Sequence, residues 1–217
     1  MKLSHADCFI FDFDGTLAPN LDLPEMRRRV VEATLAQGVP SREFEHLYII
    51  EIIDAAAHWL SRVGAAAAQS YATETHQLIL DFELDAAAGM DVFPKTRFIL
   101  STIRQADRRI SIVTRNCEQA VRRVFPDVDD FCDLLLTRDN VEFVKPDPRH
   151  LQLALCKLSR QADKSVMIGD SRMDMQLGRK LGLTCVGVLT GSHDAATLSG
   201  AGAHIVVDGI EALEPYL

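Results

Sequence analysis

The stretch Cys8-Phe9-Ile10-Phe11-Asp12-Phe13-Asp14-Gly15-Thr16-Leu17 decides the fold, because an unbroken apolar run ends abruptly in two acidic residues. Four consecutive apolar residues without polar alternation predict a strand that is covered on both faces, as in a parallel α/β sheet. In open sheets of this kind, ligands bind beyond the carboxyl ends of the strands, which is where Asp12 and Asp14 fall. Burying carboxylates there costs free energy unless a cation or a hydrogen-bond donor accompanies them. The stretch therefore indicates metal-assisted chemistry at a sheet edge.

The composition excludes several classes of function. The chain has 217 residues, of which 47% are hydrophobic and 25% charged, as is typical of a folded, water-soluble protein. No apolar run approaches the roughly 18 residues that a membrane helix needs, and the polar start does not match a signal peptide, so we expect a cytoplasmic protein. The formal charge of −8 argues against nucleic acid and membranes as partners. The five cysteines include no Cys-x-x-Cys pair, which argues against a zinc site or a disulfide framework.

The remainder of the chain divides into a helical block and an alternating block. Between Pro24 and about Met90 the pattern is helical, whereas from Val92 onward short apolar runs alternate with helical segments. Such alternation predicts a doubly wound, Rossmann-like parallel sheet. We therefore expect an α/β core formed by residues 1–18 and 92–217, with an all-α cap domain inserted at residues 19–91.

The spacing of apolar residues predicts three helices in the inserted block. The first begins at Pro24, which suits a first helical turn, and is stopped by Gly38-Val39-Pro40. The second is predicted from Ser41 to Gly64, since apolar residues recur there at intervals of three and four. The third occupies residues 65–81.

Three further segments place polar side chains at the ends of predicted strands or in a loop between them. The segments are Ile110-Ser111-Ile112-Val113-Thr114-Arg115-Asn116, Val144-Lys145-Pro146-Asp147-Pro148 and Val166-Met167-Ile168-Gly169-Asp170-Ser171-Arg172-Met173-Asp174. In the first, Thr114 can donate to a phosphate oxygen, and the backbone N–H groups of the turn can add to it. In the second, Lys145 is a point charge before a helix that starts near Pro148. In the third, Asp170 ends a strand and Asp174 follows four residues later. Taken singly, each segment also fits an ordinary turn, a surface lysine or a capped helix.

The ordered set of these segments resembles the haloacid dehalogenase superfamily of aspartate-nucleophile phosphohydrolases. The four motifs of that family are matched by Asp12-Phe13-Asp14-Gly15-Thr16, by Thr114, by Lys145 and by Gly169-Asp170 with Asp174. The position of the helical block matches members that carry a helical cap after the first motif. The segments Leu136-Thr137-Arg138-Asp139-Asn140 and Lys145-Pro146-Asp147-Pro148 further resemble the phosphoglycolate phosphatase-like branch.

The resemblance implies a role for each acidic residue. Asp12 would be the nucleophile that becomes an aspartyl phosphate, and Asp14 would act as general acid and then as general base. The implied cofactor is Mg²⁺, held by Asp12, Asp170 and the backbone carbonyl of Asp14. Asp174 would orient Lys145 or a water bound to the metal.

The same resemblance implies how the phosphoryl group is held. Thr114 and Lys145 would take part in catalysis, and together with Arg115 and Asn116 they would bind the transferring group. Positive charge is needed there, because two unit anions about 4 Å apart repel by roughly 4 kcal/mol at an effective dielectric near 20.

The implied function is that of a Mg²⁺-dependent phosphatase for a small phosphorylated metabolite, such as phosphoglycolate or a sugar phosphate, in a monomer or a homodimer. The dehalogenases of the group lack an acid at the position of Asp14, which argues against carbon–halogen cleavage. Two alternatives stay open. The chain could be a sugar phosphomutase of the same superfamily, or a non-catalytic sensor of a phosphorylated ligand, although a sensor would not need both Asp14 and Lys145. Cap residues that face the substrate would select the leaving group; the candidates are Arg42, His46, His58 and Arg62.

Overall fold

The computed structural model describes residues 3–217, and contacts within the chain group them into two compact units. One unit takes in the described residues up to Leu21 together with Ala87–Leu217, and the other is Asp22–Ala86. Among the described residues, every helix is too short or too polar to cross a bilayer.

The first unit is built on six parallel strands in the order β3-β2-β1-β4-β5-β6. The strands are β1 (Cys8–Phe11), β2 (Arg109–Val113), β3 (Leu134–Leu136), β4 (Ser165–Gly169), β5 (Thr184–Val188) and β6 (Ile205–Val207). Strand β1 lies between β2 and β4, so that Phe11 is paired with both Ile112 and Ile168. The strand order reverses beside β1, where doubly wound sheets bind their ligands. The predicted α/β fold with a doubly wound parallel sheet is confirmed.

Helices and 3-10 turns connect these strands and follow the last one. They are α4 (Thr96–Gln105), α5 (Glu118–Val124), α6 (Val128–Phe131), α7 (Arg149–Lys157), α8 (Arg172–Leu181), α9 (Ala195–Gly200) and the 3-10 turns Ala162–Lys164 and Ile210–Tyr216. Apolar residues of the strands and of α7 and α8 form a buried cluster that includes Ile10, Val113, Leu151, Met167 and Met175. Because both faces of the sheet are covered, all four residues of β1 are buried. This explains the unbroken apolar run at residues 8–11.

The second unit consists of three α-helices, α1 (Leu23–Ala36), α2 (Ile49–Ser61) and α3 (Ala65–Ala86). The prediction that the second helix begins at Ser41 is wrong. A 3-10 turn occupies Ser41–Glu43, and Tyr48 is extended, with a ψ angle of 168°, just before α2 begins. The guanidinium of Arg27 donates hydrogen bonds to the carbonyl oxygens of Glu45 and Leu47. These carbonyl groups therefore have hydrogen-bond donors although the segment is not helical. The third helix also continues beyond the predicted end at residue 81.

Candidate active site

Asp12 is the first residue after the central strand. Its backbone N–H still donates to the carbonyl of Ile168 on the neighbouring strand, at 2.9 Å. Its side-chain Oδ1 accepts from the backbone N–H of Phe13 at 2.7 Å and lies 2.9 Å from the Nζ atom of Lys145. The continuing sheet ladder therefore fixes the main chain of Asp12, and two donors orient its carboxylate.

The ammonium of Lys145 lies between two carboxylates. Its Nζ atom is 2.9 Å from Asp12 Oδ1 and 2.7 Å from Asp174 Oδ1. The residue is only 1% exposed, although it lies in a loop between β3 and α7. Lys145 is therefore a buried cation and not a surface lysine.

Asp170 and Asp174 follow strand β4 and complete an acidic cluster. Carboxylate oxygens of Asp12, Asp170 and Asp174 all lie within 4.8 Å of one another. Asp170 Oδ2 accepts from the backbone N–H of Ser192 at 2.6 Å. Asp174 lies in the first turn of α8, where its carboxylate also accepts from the hydroxyl of Ser171, the N-cap residue. The geometry thus groups Asp174 with Asp12 and Asp170, the two side chains that are predicted to hold the metal.

The carboxylates of this cluster outnumber the one ammonium beside them, so their negative charge is only partly neutralised. Burial, followed by repulsion from Asp174, raises the pKa of Asp12 well above its ordinary value, and the same two causes raise the pKa of Asp170. Burial opposes the charge of Lys145, but attraction by Asp12 and Asp174 outweighs it and raises the lysine pKa. Three carboxylates therefore face one ammonium. Oxygen ligands with excess negative charge are suited to a hard divalent cation, so the residues present fit Mg²⁺.

The backbone beside Asp170 leaves room only for glycine. Gly15 has a φ of +73°, and a Cβ atom added to it would lie 2.7 Å from Asp170 Oδ2. A side chain at Gly191 would also collide with this carboxylate. Gly191 and Ser192, which follow strand β5, were not predicted. A hint was available, since Thr190-Gly191-Ser192 is a turn-forming sequence at the end of another strand.

Asp14 is held by the residues that follow strand β2. Asn116 Nδ2 donates to both carboxylate oxygens of Asp14, at 3.0 and 3.2 Å, while Asn116 Oδ1 accepts from the N–H of Cys117 at 2.8 Å. The hydroxyl of Thr114 is 3.4 Å from Asp14 Oδ2 and accepts from the N–H of Asn116 at 3.0 Å. Two of the predicted phosphate-binding residues thus meet the predicted acid–base residue.

Arg115 contacts the backbone of Lys145. Its guanidinium donates to the backbone carbonyl of Lys145, and its own carbonyl accepts from Arg138 at 2.9 Å. The structure therefore places Arg115 against the main chain of the lysine loop, whereas the sequence predicts a contact with phosphate. That predicted contact stays a prediction.

His150 is a buried residue of this region that was not predicted. It lies in the first turn of α7 and is wholly inaccessible to solvent. Its Nδ1 atom accepts from the backbone N–H of Lys145 at 3.0 Å. Burial, aided by the nearby charge of Lys145, lowers the pKa of His150 to about 3. The sequence offers one signal, a histidine five residues after the lysine and within the next helix.

We expect acid to destabilise the wild-type chain more than a His150→Asn variant. The histidine pKa is about 3 in the fold and 6.5 ordinarily, so between these values the unfolded chain binds a proton that the folded chain does not. The contribution is fully present above the ordinary pKa and is lost as the pH falls toward 3, by about 1.4 kcal/mol per pH unit. Asparagine offers an acceptor near the Nδ1 position but does not titrate.

This expectation is checked by denaturant unfolding of both chains at several pH values between about 7 and about 4, a range that brackets the ordinary histidine pKa. The difference between the two free energies of unfolding isolates the histidine from the titrating carboxylates. If the free energies of unfolding of the two chains changed with pH in parallel, the pKa of His150 would not be lowered in the folded chain.

Comparisons with known proteins agree with the class of protein that this geometry defines. A doubly wound sheet that gathers carboxylates of raised pKa and a buried lysine at its carboxyl edge is typical of an α/β enzyme. The family model described as haloacid dehalogenase-like hydrolase matches residues 9–188, and the chain therefore belongs to that family. The predicted family is confirmed, and so is the prediction of an enzyme, a phosphatase-type hydrolase.

Several curated proteins are similar over most of their length. A probable phosphatase IndB of Dickeya dadantii is 26% identical, over 92% of this chain and 88% of that protein. A phosphoglycolate phosphatase of Pseudomonas putida is 24% identical, over 95% and 78%. A pyrophosphatase PpaX of Bacillus cereus is 25% identical, over 96% and 94%.

A solved structure supports the fold. The crystal structure of a hydrolase from Pseudomonas syringae aligns with a TM-score of 0.72 and 24% identity, covering 97% of both chains.

Proposed function

We propose that this hydrolase is a Mg²⁺-dependent phosphatase that cleaves a small phosphorylated metabolite, of the phosphoglycolate or sugar phosphate kind, through an aspartyl phosphate. The observation that carries the proposal is the buried ammonium of Lys145, 2.9 Å from the carboxylate of Asp12. The relatives named as a phosphoglycolate phosphatase and a pyrophosphatase support a substrate with a phosphoryl group.

Asp12 is the proposed nucleophile. An oxygen of its carboxylate forms a bond to phosphorus while the bond from phosphorus to the ester oxygen breaks. Repulsion between the carboxylate and each phosphate charge costs roughly 4 kcal/mol at 4 Å and an effective dielectric near 20. The ammonium of Lys145, 2.9 Å from the Asp12 carboxylate, is proposed to offset a repulsion of that size. Its burial strengthens the effect, since less water screens it.

Asp14 is the proposed general acid and base. In its protonated form it gives a proton to the departing ester oxygen, and in its ionised form it then takes a proton from the water that attacks the aspartyl phosphate. The two hydrogen bonds from Asn116 orient this carboxyl group, and Thr114 lies beside it. We therefore propose that Thr114 and Asn116 serve the proton transfers as well as the phosphate.

The residues proposed to hold Mg²⁺ are Asp12 and Asp170, with the backbone carbonyl of Asp14. The ion supplies charge neutralisation at the reacting phosphoryl group when it is bound. Asp174 keeps Lys145 in place through its 2.7 Å contact, and the Ser192 N–H fixes the orientation of Asp170. The compact helical unit Asp22–Ala86 is proposed to be the cap that selects the leaving group, within the domain boundaries predicted at residues 19–91.

The proposal is tested by measuring phosphate release from a panel of small phosphate esters, including phosphoglycolate, sugar phosphates and pyrophosphate, with Mg²⁺ present. We expect turnover of at least one, and a loss of about 10³-fold or more when a chelator is added, because a metal's charge stabilisation is worth several kcal/mol. Readdition of Mg²⁺ should restore the rate. Isomerisation of a sugar phosphate without phosphate release would instead indicate a mutase, and no turnover of any ester would contradict the proposal.

A further inference from the structure

The main chain of Lys145 is held by side chains on both sides. His150 Nδ1 accepts the lysine's backbone N–H at 3.0 Å, and the guanidinium of Arg115 donates to its backbone carbonyl. The residue lies between the end of β3 at Leu136 and the start of α7 at Arg149, so no strand or helix sets its position.

The position of the lysine backbone matters because its side chain is long and flexible. Four rotatable bonds separate the Cα atom of Lys145 from an ammonium that contacts Asp12 at 2.9 Å and Asp174 at 2.7 Å. A small shift of the loop would move the charge out of contact with one of the carboxylates. Displacements of about 1 Å at reacting groups can cost about 100-fold in rate.

His150 is well placed to hold the loop. It belongs to the first turn of α7, where its own N–H donates to the carbonyl of Asp147 at 3.2 Å. Its Nδ1 atom can accept only if the ring is neutral with the proton on Nε2, because both nitrogens of an imidazolium are donors. Nε2 is buried and has no hydrogen-bond partner among the described residues. The Nδ1 atom therefore forms one specific hydrogen bond in a region closed to solvent, and that bond goes to the lysine backbone.

We propose that His150 is a positioning residue, which holds the backbone of Lys145 through Nδ1 so that the ammonium stays between Asp12 and Asp174. This inference rests on the function proposed above, since it assigns Lys145 to catalysis. His150 itself touches neither the substrate nor the reacting atoms. Arg115 completes the arrangement from the carbonyl side of the same residue.

The test compares three variants at one position. His150→Asn offers an acceptor oxygen near the Nδ1 position, His150→Gln moves the acceptor toward the Nε2 position, and His150→Phe keeps a ring without any acceptor. With p-nitrophenyl phosphate and Mg²⁺, we expect His150→Gln and His150→Phe to lower kcat by about 10- to 100-fold with little change in KM. His150→Asn should retain most of the wild-type kcat, which a purely structural role for the ring would not predict.

A second measurement does not depend on turnover. Hydrogen exchange at the backbone amide of Lys145, followed by NMR in the full chain, should be slow in the wild type and in His150→Asn. It should be faster in the other two variants, which lack an acceptor at the Nδ1 position. Equal protection in all four chains, or an equal loss of kcat in all three variants, would overturn the inference. If the wild type cleaves no ester at all, the proposed phosphatase fails, while the exchange rates still decide whether His150 holds Lys145.

Discussion

Asp12→Asn is expected to abolish phosphate release, by at least about 10⁴-fold, and at the same time to raise the free energy of unfolding. The amide that replaces the carboxylate is a poor nucleophile, so no aspartyl phosphate forms. The gain in stability follows from burial and from repulsion by Asp174, which together disfavour the ionised carboxylate and raise its pKa well above the ordinary value. A neutral side chain of the same size is spared both costs. We therefore expect Asp12→Asn to lose activity and gain stability together, as is common when a residue needed for function is unfavourable for the fold.

The sign of this stability difference can be checked through its pH dependence. Because the folded-state pKa of Asp12 is raised, the folded chain keeps a proton that the unfolded chain loses as the pH rises above the ordinary value of 3.8. The carboxylate therefore costs stability at neutral pH and costs little in acid. The two chains should be equally stable at low pH, and Asp12→Asn should become the more stable one as the pH rises.

The matched control is Asp163→Asn, which makes the same chemical change at an exposed residue of the 3-10 turn before β4. It should leave both phosphate release and stability close to the wild type. Thermal and denaturant unfolding measure stability, and a phosphate assay measures turnover. Wild-type turnover in Asp12→Asn would remove Asp12 from the proposed role of nucleophile, and a less stable Asp12→Asn chain would contradict the charge argument.

The parts of the fold that could be predicted from the sequence are those set by local patterns. The unbroken apolar run of β1 indicates a strand buried on both faces, and β1 does lie between two parallel neighbours. Polar residues directly after strands were expected to converge, since the carboxyl ends of parallel strands meet at one edge. In the structure Asp12 and Asp170, which follow two paired strands, lie in one carboxylate cluster.

The parts that could not be predicted depend on contacts between distant residues. The hydrogen bonds from Arg27 to the carbonyls of Glu45 and Leu47 join α1 to a loop that lies 18 to 20 residues later in the sequence. These bonds replace the ones that a helix would supply. His150 looks like an ordinary helix residue until its ring is seen on the backbone of Lys145. In the same way, nothing in the sequence pairs Ser192 with Asp170. Hydrogen bonds of this kind arise from tertiary packing, which periodicity does not encode.

The second large effect is expected from Lys145→Met. Removal of the ammonium leaves the carboxylates of Asp12 and Asp174 buried without their cation, and breaking a buried ion pair in this way costs about 3–5 kcal/mol of stability. Turnover should fall by about 10³-fold, since the lysine offsets roughly 4 kcal/mol of repulsion in the reaction. Lys164→Met, at an exposed lysine just before β4, is the control and should change neither quantity.

A second substitution separates the two roles of the lysine. In the double variant Lys145→Met with Asp174→Asn, one of the two orphaned charges is removed, so part of the lost stability should return. Turnover should not return, because no cation then faces both Asp12 and the phosphoryl group. Unfolding free energies and kcat for the four members of this cycle provide the comparison. Recovery of kcat in the double variant would mean that Lys145 serves only to neutralise Asp174. If the reaction itself needs the ammonium, removing the charge of Asp174 cannot replace it.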